Sequence, residues 1–166
     1  MDVILGRGGD QAVIRENGKY QFFGGKVEEV EKRTKVKARI VAHALEELIS
    51  ECKQVIIMGH VNPDIDAMGS ALGIYRIAKT LKKDAYIVAD RESTSIKTFA
   101  ECLPEEYNEV LINKEKALDI MDAETLLVVV DTHKKSYVEQ PELLDKTSKI
   151  VVIDHHRRSA DFISQS

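Results

Sequence analysis

His60, Asp64 and Asp66 crowd into seven residues of "GHVNPDIDAMGS", directly after the apolar run "VIIM". Asp131 ends a second apolar run, "TLLVVVD", and Asp154, His155 and His156 end a third, "KIVVIDHH". If these runs are strands of one sheet, three strand ends deliver carboxylates and imidazoles to one edge. Like charges gathered so closely are costly unless neutralised, and divalent cations are the plain remedy. Asp with His suits manganese, iron or zinc, and a carboxylate-rich set leans towards manganese. His60, Asp64, Asp66, Asp131 and His155 exceed what one ion needs, so the set has room for two. Two ions about 3.5–4 Å apart can activate a shared water and clamp both the attacking and the leaving oxygen of a phosphoryl displacement. The chemistry implied is hydrolysis of a phosphate ester or anhydride.

The surrounding elements must bring those residues together. From Gln54 onward, short β-branched runs alternate with stretches of helical period, the pattern of a parallel sheet covered by helices. Strands are expected at "QVIIM", "AYIVA", "EVLI", "TLLVVV" and "KIVVI". Helices are expected at "AMGSALGIYRIAKTLK", "SIKTFAECL" and "KEKALDIM", with a helical turn opened by Pro141 in "QPELLDK". The fold class is α/β, a Rossmann-like parallel sheet of about five strands flanked by helices. In such sheets ligands bind outside the carboxyl ends of the strands, where the residues above fall.

Residues 1–35 differ, with turn signals at Gly8-Gly9, Asn17-Gly18 and Gly24-Gly25 and room for a strand or hairpin between them. Residues 36–53 read as an amphipathic linker helix, with Val36, Ile40, Ala44 and Leu48 on one face and Val41, Leu45 and Ile49 beside them. The charged run "VEEVEKRTKVKAR" reads as the solvated start of that helix.

Composition narrows the classes further. The 166 residues carry a net charge of −4 with mixed signs, which argues against the basic stripe of a duplex-binding protein. Cys52 and Cys102 lack the spacing of a zinc site or disulfide framework and read as free, mostly buried thiols. No apolar run approaches the ~18 residues that cross a bilayer, so no membrane contact is expected of this stretch.

Single residues have plainer roles open to them. Asp66 reads equally well as the N-cap of the following helix, and Asp131 and Asp154 as turn or capping residues. His133 in "DTH" reads as a supporting or surface residue, and His43 as a packing or surface residue of the linker helix. Asp90 and Arg91 after the second strand read as the start of a loop.

In order and spacing, "GHVNPDIDAMGS", "VVVDTH" and "VVIDHH" resemble the first three motifs of the DHH phosphoesterase superfamily, over 54–166. "RGGDQA" and "EKRTKVKAR" further resemble the join between a degenerate GGDEF domain and the DHH domain of GdpP-type cyclic-di-AMP phosphodiesterases. That resemblance implies that 1–35 is the end of the degenerate domain. It implies that His60, Asp64 and Asp131 hold one manganese ion and Asp66, Asp131 and His155 a second, with Asp131 between them. His156 would face the substrate phosphate and Asp154 would orient the neighbouring histidine, while Arg157 would help neutralise phosphate or, equally, stand as a solvated loop residue. The implied reaction opens cyclic-di-AMP to linear pApA, with Asp131, His156 and Asp154 as the catalytic set. The family supplies a further acidic ligand and a C-terminal associated domain downstream, so the chain is expected to be part of a longer protein, anchored at the cytoplasmic side of the membrane. Homodimerisation, an oligonucleotide nuclease or pyrophosphatase activity, and a non-catalytic nucleotide-binding role stay open at this point.

Overall fold

A computed structural model describes residues 11–16, 19–23, 31–91, 93–107, 109–157 and 161–163. The three glycine turn signals of the N-terminal stretch lie outside the described residues. So does most of "RGGDQA", of which only Gln11 and Ala12 are described.

The expected alternation of strands and helices is present. β1 (Gln11–Glu16) and β2 (Lys19–Phe23) precede α1 (Glu31–Glu51). Then follow β3 (Gln54–Met58), α2 (Ile65–Thr80), β4 (Asp84–Val88), α3 (Thr94–Cys102), β5 (Leu111–Ile112) and α4 (Lys114–Ile120). β6 (Leu126–Val130) and β7 (Ile150–Asp154) complete the sheet, and two 3-10 turns, Lys135–Tyr137 and Pro141–Asp145, join them where a helix would otherwise stand.

The sheet order is β2-β1-β7-β6-β3-β4-β5. β3 to β7 pair only in parallel with one another, and β1 and β2 extend that five-stranded core as an antiparallel hairpin along β7. Within the core the chain runs outward from β3 through β4 to β5, then returns to β6 and β7 on the other side. The direction of winding therefore reverses between β3 and β6, and the crevice above these two strands is where such sheets bind ligands.

Strand periodicity divides the core in two. Val55, Ile57, Ile87, Val128, Val130 and Val151 face α1, α2 and α3. Ile56, Met58, Val88, Leu127, Val129 and Val152 face α4 and the 3-10 turns. All five residues of β3 and of β6 are buried, which explains the apolar runs Val55–Met58 and Leu126–Val130: helices or turns cover both faces. Each fully buried Val, Leu or Ile contributes about 1.5–3 kcal/mol, so β3 and β6, two of the three strands whose ends carry the site, are firmly held.

Two expectations need adjusting. Cys52 is buried, donating its thiol to the Ile49 carbonyl, but Cys102 is exposed, because it ends α3 on the solvent side. Among the described side chains of α1, Leu45 and Ile49 are the buried ones, whereas Val36 and Ile40 stand in solvent at 57% and 52% exposure. The apolar face runs further along this helix than the core it packs on.

Candidate metal centre

β3 ends at Met58, and the chain turns through Gly59 into the loop that carries His60. A Cβ at Gly59 would lie 3.2 Å from the Ala67 Cβ and 3.7 Å from the Pro63 Cβ, so a glycine here and a small residue at Ala67 let α2 start close against the strand end. Asn62 takes a left-handed backbone, φ 53°, which Asn tolerates better than most residues. Asp64, not Asp66, caps α2: its carboxylate accepts from the Asp66 and Ala67 N–H groups, both at 3.0 Å. The expectation that Asp66 serves as the cap is corrected accordingly, because the helix begins one residue before it.

His60 is clamped from the β6–β7 connection. Val61 N–H donates to the Tyr137 carbonyl at 2.9 Å, Glu139 N–H donates to the Gly59 carbonyl at 3.0 Å, and the Tyr137 ring stacks on the imidazole at 5.3 Å and 9°. His60 Nδ1 lies 2.9 Å from the Val61 carbonyl. Donating there fixes the tautomer and leaves the Nε2 lone pair for a cation. That Nε2 lies 3.8 Å from Asp64 Oδ1 and 3.7 Å from Asp131 Oδ2.

Asp131 follows β6 directly, with its N–H donated to the Ile153 carbonyl at 2.9 Å and a left-handed φ of 58°. It is buried, and its other oxygen, Oδ1, lies 3.2 Å from His155 Nε2 and 3.7 Å from His156 Nδ1. Potential ligand atoms of His60, Asp64 and Asp131 lie within 4.8 Å of one another, and so do those of Asp131, His155 and His156. Asp131 belongs to both groups, facing one with each carboxylate oxygen.

Behind this pair of groups, buried Asp154 accepts from two histidines. Oδ1 takes the His156 Nδ1–H at 2.7 Å and its backbone N–H at 3.1 Å, while Oδ2 pairs with His133 Nδ1 in a short hydrogen bond. His133 in turn stacks on Phe162 and its carbonyl accepts the Ile163 N–H. His133 thus stands behind the cluster as a support.

Burial pushes the Asp131 carboxyl above its ordinary range, with Asp64 adding to the rise and the nearby histidines opposing it. On Asp154 burial also pushes upward, but the hydrogen bonds from His133 and His156 outweigh it and hold the group low. Asp64 is held low chiefly by the Ala67 N–H. The hydrogen bond to Asp154 raises His156 above the usual histidine range, favouring the imidazolium. The site therefore pairs a buried, strained carboxylate that gains from a cation with a histidine that the Asp154 hydrogen bond favours in its protonated, hydrogen-bond-donating form.

Asp66 and Arg157 are brought into neither group: Asp66 is exposed in the first turn of α2, and Arg157 is exposed just past His156. Asp90 is exposed, and Arg91 Nη2 donates to the Tyr107 carbonyl at 3.4 Å, which suits the loop expected there. His43 is an exposed residue of α1 facing Glu46 at 3.4 Å. Asp161 is engaged by the hydroxyl and N–H of Ser136. Tyr137 and Glu139 were not singled out from sequence. They lie in "KKSYVEQ", which has no period and no motif, and they reach the site through pairing between loops distant in sequence.

Comparison with known proteins bears on the same residues. The DHH family, N-terminal domain, matches residues 54–166. The chain is 46% identical over 169 residues to "Cyclic-di-AMP phosphodiesterase GdpP" of Bacillus subtilis (strain 168), covering 98% of this chain and 26% of that protein. It is 47% identical over 169 residues to "Cyclic-di-AMP phosphodiesterase PdeA" of Listeria monocytogenes serotype 1/2a (strain 10403S), with the same coverage. Over 115 residues it is 27% identical to "Bifunctional oligoribonuclease and PAP phosphatase NrnA" of Mycoplasma genitalium, covering 68% of this chain and 33% of that protein. The chain thus spans 26% of the length of the two cyclic-di-AMP relatives.

Proposed function

We propose that this chain, which belongs to the DHH family and carries its N-terminal domain at residues 54–166, is the metal-binding part of a phosphodiesterase that opens cyclic-di-AMP to linear pApA. The observation that carries this reading is Asp131, one buried carboxylate shared by two groups of imidazole and carboxylate ligands above the winding reversal of the sheet. The donor set fits hard or borderline divalent cations, and neither cysteine belongs to a ligand group among the described residues, which favours manganese. His60, Asp64 and Asp131 would hold one ion, and Asp131 and His155 a second, with Asp66 of the α2 first turn as its further carboxylate. Bound there, two such ions would neutralise the phosphodiester and acidify water.

The chain's own groups do the rest. His60 presents Nε2 because its Nδ1–H is spent on Val61. Asp154 holds the His156 ring through Nδ1, so that the remaining N–H can donate to a phosphate oxygen or to the leaving oxygen. Arg157, exposed beside it, adds positive charge for the second phosphate. The same reading makes residues 1–35 the end of a degenerate GGDEF-like domain and 36–53 a linker helix, in a longer protein anchored at the cytoplasmic side of the membrane. Among the described residues no helix is long and apolar enough to cross a membrane.

The test is chromatography of products after incubation with cyclic-di-AMP, pApA or pyrophosphate, with manganese or with chelator, for the chain and for Asp131→Asn. Asn is the suitable replacement because it tolerates the left-handed backbone and removes the charge. Manganese-dependent pApA is expected, falling at least about a hundredfold in the variant. Faster cleavage of pApA would favour the oligonucleotide nuclease, and faster cleavage of pyrophosphate the pyrophosphatase. Nucleotide binding without turnover would favour a non-catalytic role.

A further inference from the structure

Among the described residues six large apolar side chains are notably exposed, and three of them lie in segments beside the His/Asp cluster: Val61 in the β3–α2 loop, Ile65 at the start of α2 and Tyr137 in the β6–β7 connection. Val61 directly follows His60 and is 39% exposed; Ile65 directly follows Asp64 and is 77% exposed; Tyr137 covers the His60 ring and is itself 49% exposed. The Tyr137 ring is nearly parallel to the imidazole, and the 5.3 Å separation means that the two rings are offset rather than superposed. Its backbone is fixed at both ends, by Lys134 through its N–H and by Val61 through its carbonyl. The flat, held ring therefore offers a half-exposed aromatic surface beside the His/Asp cluster. Three side chains are also far too few for a protein interface, which needs about 800 Å² from each partner.

We propose that Tyr137, stacked on His60, is a platform for the nucleobase of the nucleotide whose phosphate meets the His/Asp cluster, which rests on the phosphoesterase reading above. One ring beyond His60, the platform lies about one nucleotide from the ligand atoms. Stacking accepts any base and favours the larger purine face. The role differs from catalysis: Tyr137 positions the substrate through its base and makes no contact with the reacting atoms.

The experiment compares adenosine 5′-monophosphate with ribose 5-phosphate, which carries the same phosphate and sugar without the base, on the manganese-loaded chain. Calorimetry is expected to show the adenosine compound binding at least about fivefold tighter. Tyr137→Leu should bring it down to the level of ribose 5-phosphate, a larger loss than any that the variant causes in the binding of ribose 5-phosphate or manganese. The sequence has no tryptophan, so Tyr137→Trp introduces a single indole whose fluorescence adenosine 5′-monophosphate should quench and ribose 5-phosphate should not. Equal binding of the two compounds to the unaltered chain would remove the platform and leave the phosphoesterase reading intact. A preference that survives in Tyr137→Leu would place the base elsewhere. Loss of manganese binding in that variant, in step with the nucleotide, would reduce Tyr137 to a support for His60. Binding of manganese with neither phosphate compound would sink the phosphoesterase reading itself.

Discussion

At the residue scale the site is built from groups that the fold holds at some cost. Asp131 sits in the left-handed region, which costs a non-glycine residue of order 1–2 kcal/mol, and it is buried as well. Its N–H bond to Ile153 at the end of β7 keeps it there. Glu139 is a second such group: one carboxylate oxygen is buried without a hydrogen-bond partner among the described residues. Burial pushes its carboxyl above the ordinary glutamate range, Asp90 adds to the rise, and the Asn62 N–H opposes it. A carboxyl raised in the folded state stays protonated over a window in which the unfolded chain has already released its proton. The folded state then binds more protons, so stability falls as pH rises from the ordinary glutamate value, about 4.3, to the folded one. Glu139→Gln has no such proton to lose. In metal-free chain its melting temperature should exceed that of the parent at neutral pH by on the order of a few degrees, and the gap should close towards pH 4. Thermal melts across that range decide it, and parallel pH profiles would show that Glu139 is solvated after all.

At the element scale the β3–α2 connection combines two tasks in one residue. Asp64 caps α2 and lies in the His60–Asp131 group. Asn is as good an N-cap as Asp, whereas Ala costs ~1 kcal/mol, so the two roles separate by substitution. Asp64→Asn should leave the metal-free melting temperature unchanged and weaken manganese binding; Asp64→Ala should do both harms, lowering the melt by about 2–4 °C. Calorimetric melts paired with metal titrations read the two effects, and a full loss of stability in Asp64→Asn would mean that its charge, rather than its cap, holds the helix. Much of this connection was legible in advance. The β-branched runs gave β3, β4, β6 and β7 to within a residue or so, because buried parallel strands must be apolar on both faces. Of the two aspartates of "DID" the sequence pointed to Asp66 as a possible cap and missed Asp64, since either can accept from the N–H groups that follow it. "EVLI" shrank to the two residues Leu111–Ile112, at an edge where β5 has only β4 to pair with. The clamp of Tyr137 and Glu139 on the His60 loop left no trace in sequence, because pairing between 59–61 and 137–139 follows no local period.

At the scale of the whole molecule, the centre depends on three strand ends arriving together. Gly59 to Asp64 come from β3, Asp131 from β6 and His155 from β7, and β6 lies hydrogen-bonded between the other two. Folding the sheet therefore gathers carboxylates that repel one another, and a cation that binds only the gathered arrangement must stabilise the fold by mass action. At a metal concentration about a hundred times the dissociation constant the gain is ~2.7 kcal/mol. For a chain of this size that corresponds to a rise in melting temperature of roughly 5–10 °C. Manganese should produce that rise, chelator should reverse it, and magnesium, which prefers oxygen ligands and dehydrates reluctantly, should produce less. Asp131→Asn should abolish the rise, since it removes the carboxylate common to both groups, while a variant of β2, distant from the centre, should keep it whole. A melt that manganese leaves unmoved would mean that the strand ends, though assembled, do not form a metal centre.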